Sequence, residues 1–150
     1  MMRYLSLLII FTLLSSCGRY FMPDKNLQRH VQKSEVIGTW IMTPESIKLM
    51  VRDGYVVDPT LKYQMIIRLD GTMSFDSVGT AYDNYPTIRA EGSYFIAHHE
   101  DGTTTLGTNL WYNNIENNYH YSFAEEDGVL TLWEYHGDPD SWEFIEYTKK

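Results

Sequence analysis

Apolar and polar residues alternate with a period of two along much of the chain beyond residue 60. In residues 63–69 every second side chain is large and apolar, and Tyr119, Tyr121 and Phe123 repeat this spacing further along. Successive side chains of a strand point to opposite faces, so the pattern indicates strands with one buried face. The same reasoning predicts further strands at residues 36–42, 73–75, 89–97, 103–112, 129–135 and 142–148.

One stretch near the start follows a helical pattern instead. Thr43 is a suitable N-cap, and Pro44 occupies the first helical position, where its missing N–H costs nothing. Three apolar residues then follow at helical spacing, and Asp53-Gly54 marks the end. The sequence therefore predicts one short helix between the first and second strands.

Short turns separate the predicted strands. Asp70-Gly71 favours a two-residue β-hairpin, and turns at residues 98–102, 113–118, 126–128 and 137–141 follow a longer loop at residues 77–86. Because short connections join antiparallel neighbours, about eight such strands close most economically into an up-and-down barrel. We therefore expect an all-β antiparallel barrel with one short N-terminal helix. A two-sheet sandwich is the alternative.

The first sixteen residues are organised as a secretory signal peptide. Arg3 provides a positive start, residues 4–14 are mainly apolar, and Ser15 and Ser16 are small residues suited to a cleavage site. The apolar run is about half of the roughly 20 residues that a transmembrane helix needs. Export is therefore the preferred interpretation, and a permanent membrane helix is the weaker one.

Cys17 is the only cysteine of the chain, so no disulfide partner exists for it. Leu14-Ser15-Ser16-Cys17 resembles the lipobox of bacterial lipoproteins; an ordinary signal peptide followed by a chance cysteine is the alternative. The resemblance implies cleavage before Cys17 and attachment of acyl chains such as palmitate to it. Gly18, rather than Asp, implies an outer-membrane protein facing the periplasm. We expect a signal peptide at 1–16, a lipid-anchored tether at 17–34 and a barrel domain at 35–150.

Several short motifs of this domain resemble lipocalins and lipocalin-like bacterial proteins. The motifs are Gly38-Thr39-Trp40, the hairpin at residues 69–75, the strand at residues 90–94 and the final hairpin from 130–133 to 144–149. The resemblance covers residues 35–149 and implies a small barrel that binds a hydrophobic ligand, with no reaction. Its candidate ligand-binding or barrel-floor residues are Trp40, Tyr63, Phe75 and Trp111.

Charge is distributed unevenly along the chain. The net charge is -8, which argues against a nucleic-acid partner because phosphates require a basic surface. Residues 90–148 contain twelve acids and no Lys or Arg, whereas residues 17–89 contain nine Lys or Arg and eight acids. In a barrel of sequential strands residues 90–148 form one side of the wall, and this acidic side could attract a basic protein, as an inhibitor or immunity protein would. Solubility and repulsion from anionic membrane surfaces are the alternative. The candidate acidic face comprises Glu125, Glu126, Asp127, Asp138 and Asp140.

Motifs that would indicate catalysis are absent from the sequence. No nucleophile elbow, P-loop, His-Glu-x-x-His or Cys-x-x-Cys occurs. The run from His98 to Asp101 contains four potential metal ligands, but neighbours in a strand point to opposite faces. We therefore expect a non-enzymatic protein without a metal or cofactor, anchored to a membrane and binding either a small hydrophobic ligand or a basic protein.

Overall fold

A computed structural model describes residues 25–55, 63–76, 89–112, 115–137 and 142–150. Within these residues eight antiparallel strands pair in sequence order and form a closed barrel. The prediction of an eight-stranded antiparallel barrel is confirmed, and closure excludes the two-sheet sandwich. The strands are β1 Gly38–Met42, β2 Gln64–Ile67, β3 Thr72–Asp76, β4 Arg89–His98, β5 Thr104–Tyr112, β6 Ile115–Glu126, β7 Val129–Tyr135 and β8 Phe144–Lys149.

The barrel closes because the first strand pairs with the last. Trp40 lies opposite Lys149, and Met42 lies opposite Tyr147. This pairing satisfies backbone groups that an open sheet would leave exposed at both outer strands. We call the end where β1 begins the lower end; it carries the turns before β3, β5 and β7. The opposite end, where β1 leads into a helix, is the upper end.

The described residues contain two helices, α1 (Lys33–Val36) and α2 (Pro44–Arg52). Helix α2 lies where the sequence predicts it, and the Thr43 hydroxyl accepts a hydrogen bond from the Ser46 backbone N–H at 3.3 Å. Helix α1 is an addition, because the sequence predicts a strand beginning at residue 36. Its first turn forms since the Glu35 carboxylate accepts the Gln32 backbone N–H at 2.7 Å. Neither helix has the length and apolar character needed to cross a membrane.

The predicted turn at residues 113–118 is too long. Strand β6 begins at Ile115, and Asn117 and Asn118 lie opposite Leu110 and Asn109 of β5. The asparagines favour a turn on local grounds. Pairing with the long strand β5 outweighs that preference, because strand stability depends on neighbours more than on intrinsic propensity.

The core of the barrel consists of aromatic and aliphatic side chains. The five largest side chains that are less than 2% exposed are Trp40, Tyr121, Tyr147, Phe75 and Phe123. Their rings meet mainly edge to face, with centroids 6.0 Å apart for Tyr121 and Tyr147 and 6.5 Å for Trp40 and Phe123. Such geometry suits the ring quadrupoles, and burial of each Phe is worth about 1.5–3 kcal/mol.

The N-terminal segment, residues 25–37, lies against the barrel and covers part of its lower end. The Leu27 N–H donates to the Phe123 carbonyl at 2.8 Å, and the Val31 N–H donates to the Thr104 hydroxyl at 3.1 Å. Val31 is fully buried. Residues 25–34, which the sequence assigns to a tether, are therefore packed on the domain. The predicted signal peptide and Cys17 lie outside the described residues.

Candidate functional site

Three of the four predicted ligand-binding or barrel-floor residues lie together inside the barrel. Trp40 and Phe75 are fully buried, and Tyr63 is nearly so. Trp111 does not join them, because it is on the outer surface of β5 with 58% of its surface exposed. The alternation of β5 explains this position, since Leu110 beside it is buried instead.

The lower half of the barrel is filled and closed. The Trp40 indole N–H donates to the Val36 carbonyl at 2.8 Å, which joins the floor of the barrel to helix α1. The Lys149 ammonium lies 6.0 Å from the centre of the Trp40 ring and donates to the Glu35 carbonyl at 2.7 Å. Trp40 is therefore a packing residue of the floor.

The upper half contains a carboxyl group that the sequence does not single out. Glu134 follows Leu132 at strand spacing and lies opposite Ile145 of β8, so it points into the barrel. Burial raises the pKa of its carboxyl group to about 8. Within the described residues no hydrogen bond or ion pair reaches this carboxyl group. The signal for it in the sequence is the alternation of residues 129–135.

Tyrosine side chains surround Glu134. Tyr121 and Tyr147 are fully buried, and burial, followed by the nearby Glu134 carboxylate, raises the pKa of each phenol well above its ordinary value. Within the described part of the chain the Tyr147 hydroxyl has no hydrogen-bond partner. A buried polar group without a partner is costly, so the upper half retains unused hydrogen-bonding capacity at both Glu134 and Tyr147.

Solvent reaches part of this upper interior. Asn117 and Tyr119 share the inward face of β6 with Tyr121, because they lie opposite Leu110 and Thr108 of β5. Both remain partly exposed, as does Glu134, although all three point inward. We call this group of inward-facing, partly exposed side chains, together with Tyr121 and Tyr147 beside them, the upper recess. It combines aromatic walls with a few polar groups, as small-molecule sites do.

The predicted acidic face is partly neutralised. Glu125 pairs with Arg29 at 2.8 Å, whereas Glu126 and Asp127 are exposed at the turn between β6 and β7. Asp138 and Asp140 lie outside the described residues. Further acids of the same stretch pair with cations from the first part of the chain: Glu91 with Arg89, Glu143 with Arg52, and Glu146 with Lys25. The negative field is therefore weaker than the sequence implies.

The histidines near the β4–β5 turn do not converge on one point. His98 stacks on His30 with ring centroids 4.5 Å apart, and a ring nitrogen of His99 lies 3.0 Å from the Thr105 hydroxyl. Asp101 accepts the Thr103 backbone N–H at 2.9 Å. Across the described ranges no group of three or more potential ligands could hold a metal ion.

Neither models of protein families, nor curated proteins, nor solved structures match this chain. Inference about function therefore depends on the barrel and its upper recess.

Proposed function

We propose that this protein is a lipid-anchored protein of the cell envelope whose lipocalin-like barrel binds a small, mainly apolar ligand in the upper recess. The inward position of Glu134, Tyr119 and Asn117, each still partly exposed, carries this proposal. The protein acts by binding and not by catalysis. Cys17 is the proposed lipid attachment site. The lipid anchors the protein in the outer membrane, and the barrel faces the periplasm.

The lining of the upper recess favours a ligand with one polar group. Tyrosine rings and Ile145 provide apolar surface, whose contact with a ligand is worth about 25 cal/mol per Å² removed from water. The Glu134 carboxyl and the Tyr147 hydroxyl supply the polar contacts. A ligand that hydrogen-bonds to them would satisfy groups that are otherwise buried at a cost.

Ligand binding is testable with N-phenylnaphthylamine, a neutral apolar fluorophore. The Cys17→Ser chain avoids acylation and keeps every residue of the domain. We expect saturable binding to it with enhanced fluorescence. Asn117→Trp, which fills the upper recess, should weaken binding about tenfold, equivalent to about 1.4 kcal/mol. Asn118→Trp, one residue away on the outer face, is the matched control and should bind as the parent does. Absence of saturable binding, or equal binding by both variants, would refute the proposal.

A basic protein partner is the second candidate. Glu126 and Asp127 are exposed at the lower end, on a chain of net charge -8. Such an interaction would weaken sharply with salt, because exposed charges are screened beyond about 8 Å at physiological ionic strength. A partner captured from envelope extract at low salt, and lost with Glu126→Lys, would support this function. Capture that is insensitive to salt would count against it.

A further inference from the structure

The outer surface of β7 and β8 carries a cluster of aromatic side chains that point away from the barrel interior. The Trp133 ring lies 5.2 Å from that of Tyr135 and 5.0 Å from that of Phe144, between ring centroids. Tyr135 is 44% exposed and Trp142, which precedes β8, is 38% exposed. Trp133, Tyr135 and Phe144 are in mutual ring contact, and Trp142 lies two residues before Phe144 in the chain. We call these three residues and Trp142 the aromatic face.

The N-terminal segment reaches the described structure beside this aromatic face. The Lys25 ammonium lies 4.5 Å from the centre of the Phe144 ring and 5.8 Å from that of Trp133, and it pairs with Glu146. Lys25 follows Cys17 by eight residues along the chain. They span at most about 29 Å when fully extended. A lipid on Cys17 would therefore keep Lys25, beside the aromatic face, within about 29 Å of the bilayer.

Charge is compensated around the aromatic face, unlike at the lower end. Glu146 pairs with Lys25, and Glu143 pairs with Arg52 at 2.6 Å. Asp53 accepts from both Arg52 at 2.7 Å and His136 at 2.8 Å. Glu146, Glu143 and Asp53 thus each have a basic partner, which reduces repulsion from anionic headgroups here. Exposed Glu126 and Asp127 would oppose an approach by the lower end.

We propose that the aromatic face rests on the bilayer, with Tyr135 and Trp142 in the headgroup region. Tyr and Trp favour that region because their rings are apolar at one end and polar at the other. This orientation presents the rest of the barrel wall to the periplasm. The inference rests on the proposed lipid anchor at Cys17 and is independent of ligand binding.

Tryptophan quenching by brominated phospholipids tests the orientation. The lipidated chain is reconstituted in vesicles of phosphatidylethanolamine and phosphatidylglycerol, with bromine placed near the headgroups. We expect quenching of the parent protein to fall at least about twofold in Trp142→Phe, since this ring lies at the interface. Trp111→Phe, which removes an exposed ring of β5, is the matched control and should leave quenching by these lipids unchanged.

The possible outcomes distinguish failure of the proposed orientation from failure of the proposed lipid anchor. If the chain binds vesicles but Trp111→Phe removes the quenching, or neither variant does, the proposed orientation is wrong. If the expressed chain is not lipidated, the anchor proposal fails instead. The orientation is then tested by coupling the mature chain through Cys17, its only cysteine, to a maleimide lipid in the same vesicles. Quenching that still depends on Trp142 would support the orientation, and its absence would refute it.

Discussion

The indole N–H of Trp40 donates a hydrogen bond to the carbonyl of Val36 at 2.8 Å, and both residues are fully buried. This contact connects the first strand of the barrel to the short helix that precedes it. It also explains why Trp40 belongs to the floor, since its polar atom is already satisfied by the protein. A ligand in the upper recess would meet other residues.

Replacement of Trp40 should therefore lower stability and leave ligand affinity unchanged. Trp40→Phe removes the donor to Val36 and leaves space in the core, at an expected cost of about 2–4 kcal/mol in the free energy of unfolding. Urea denaturation measures this cost. Trp111→Phe, on the exposed surface, should change stability by less than about 0.5 kcal/mol. A stable Trp40→Phe protein that has lost N-phenylnaphthylamine binding would instead make Trp40 a ligand contact.

The N-terminal segment should contribute to the stability of the domain. Val31 is fully buried and its N–H bonds to Thr104, so Val31→Ala should cost about 2 kcal/mol through the cavity that it leaves. Ser34→Ala, at an exposed position of helix α1, is the control. Equal unfolding midpoints for these two variants would indicate that the segment separates from the barrel in solution.

Gly92 should tolerate no side chain, because β4 and β5 approach each other closely there. A Cβ atom at this position would overlap the Asn109 carbonyl oxygen and lie 2.9 Å from the Leu110 Cα atom. Both obstacles are backbone atoms, so the strands themselves would have to move. We expect Gly92→Ala to cost about 3 kcal/mol or more, or to prevent folding. Ser93→Ala, at the exposed neighbouring position, should unfold at nearly the parental urea concentration; an equally stable Gly92→Ala would contradict the strand geometry.

Glu134 should make the protein less stable as pH rises. The pKa of its carboxyl group is about 8 when folded, against an ordinary 4.5. Between these values the folded state retains a proton that the unfolded state has lost, so the free energy of unfolding falls with rising pH and this contribution levels off above about 8. In Glu134→Gln, which stays neutral, the decrease should be smaller by a few kcal/mol.

Urea denaturation from about pH 5 to about pH 8 measures this difference. Tyr121 and Tyr147 face Glu134. Burial raises their phenol pKa values well above the ordinary value of 10, so both stay protonated across this range. Glu116→Gln, at an exposed position of β6, controls for removal of one carboxylate. Parallel pH profiles for the parent and Glu134→Gln would show that Glu134 is solvated in the folded protein.

Cys17 should determine attachment to the membrane. Cys17→Ser removes the thiol that the lipobox resemblance assigns to acylation, so the protein should lose incorporation of labelled palmitate and leave the membrane fraction. Fractionation with and without detergent measures the second effect. Retention of the Cys17→Ser chain in the membrane would instead indicate that the apolar residues 4–14 act as an uncleaved anchor.

The sequence by itself determined the strands, the turns at residues 70–71, 98–102 and 126–128, and helix α2. These elements depend on local signals: alternation of residues 63–69, the Thr43 cap and turn residues such as Asp70-Gly71. Closure of the barrel was also predictable, because short connections in sequence order leave few other arrangements. Helix α1 is not predictable in the same way, because its Glu35 cap is a weak signal in a polar stretch.

Only the tertiary structure decided which residues form the candidate site. Trp111 and Glu134 both belong to correctly predicted strands, yet Trp111 lies outside and Glu134 lies inside. A shift of one residue in register reverses the face of every side chain, and the polarity of one residue does not determine that register. Pairing along the whole of β4 to β8 sets it, and burial of the larger apolar set outweighs the cost of enclosing one carboxyl group. Likewise, the charges that reduce the acidic surface come from Lys25, Arg29 and Arg52, which are distant in sequence and become neighbours only on folding.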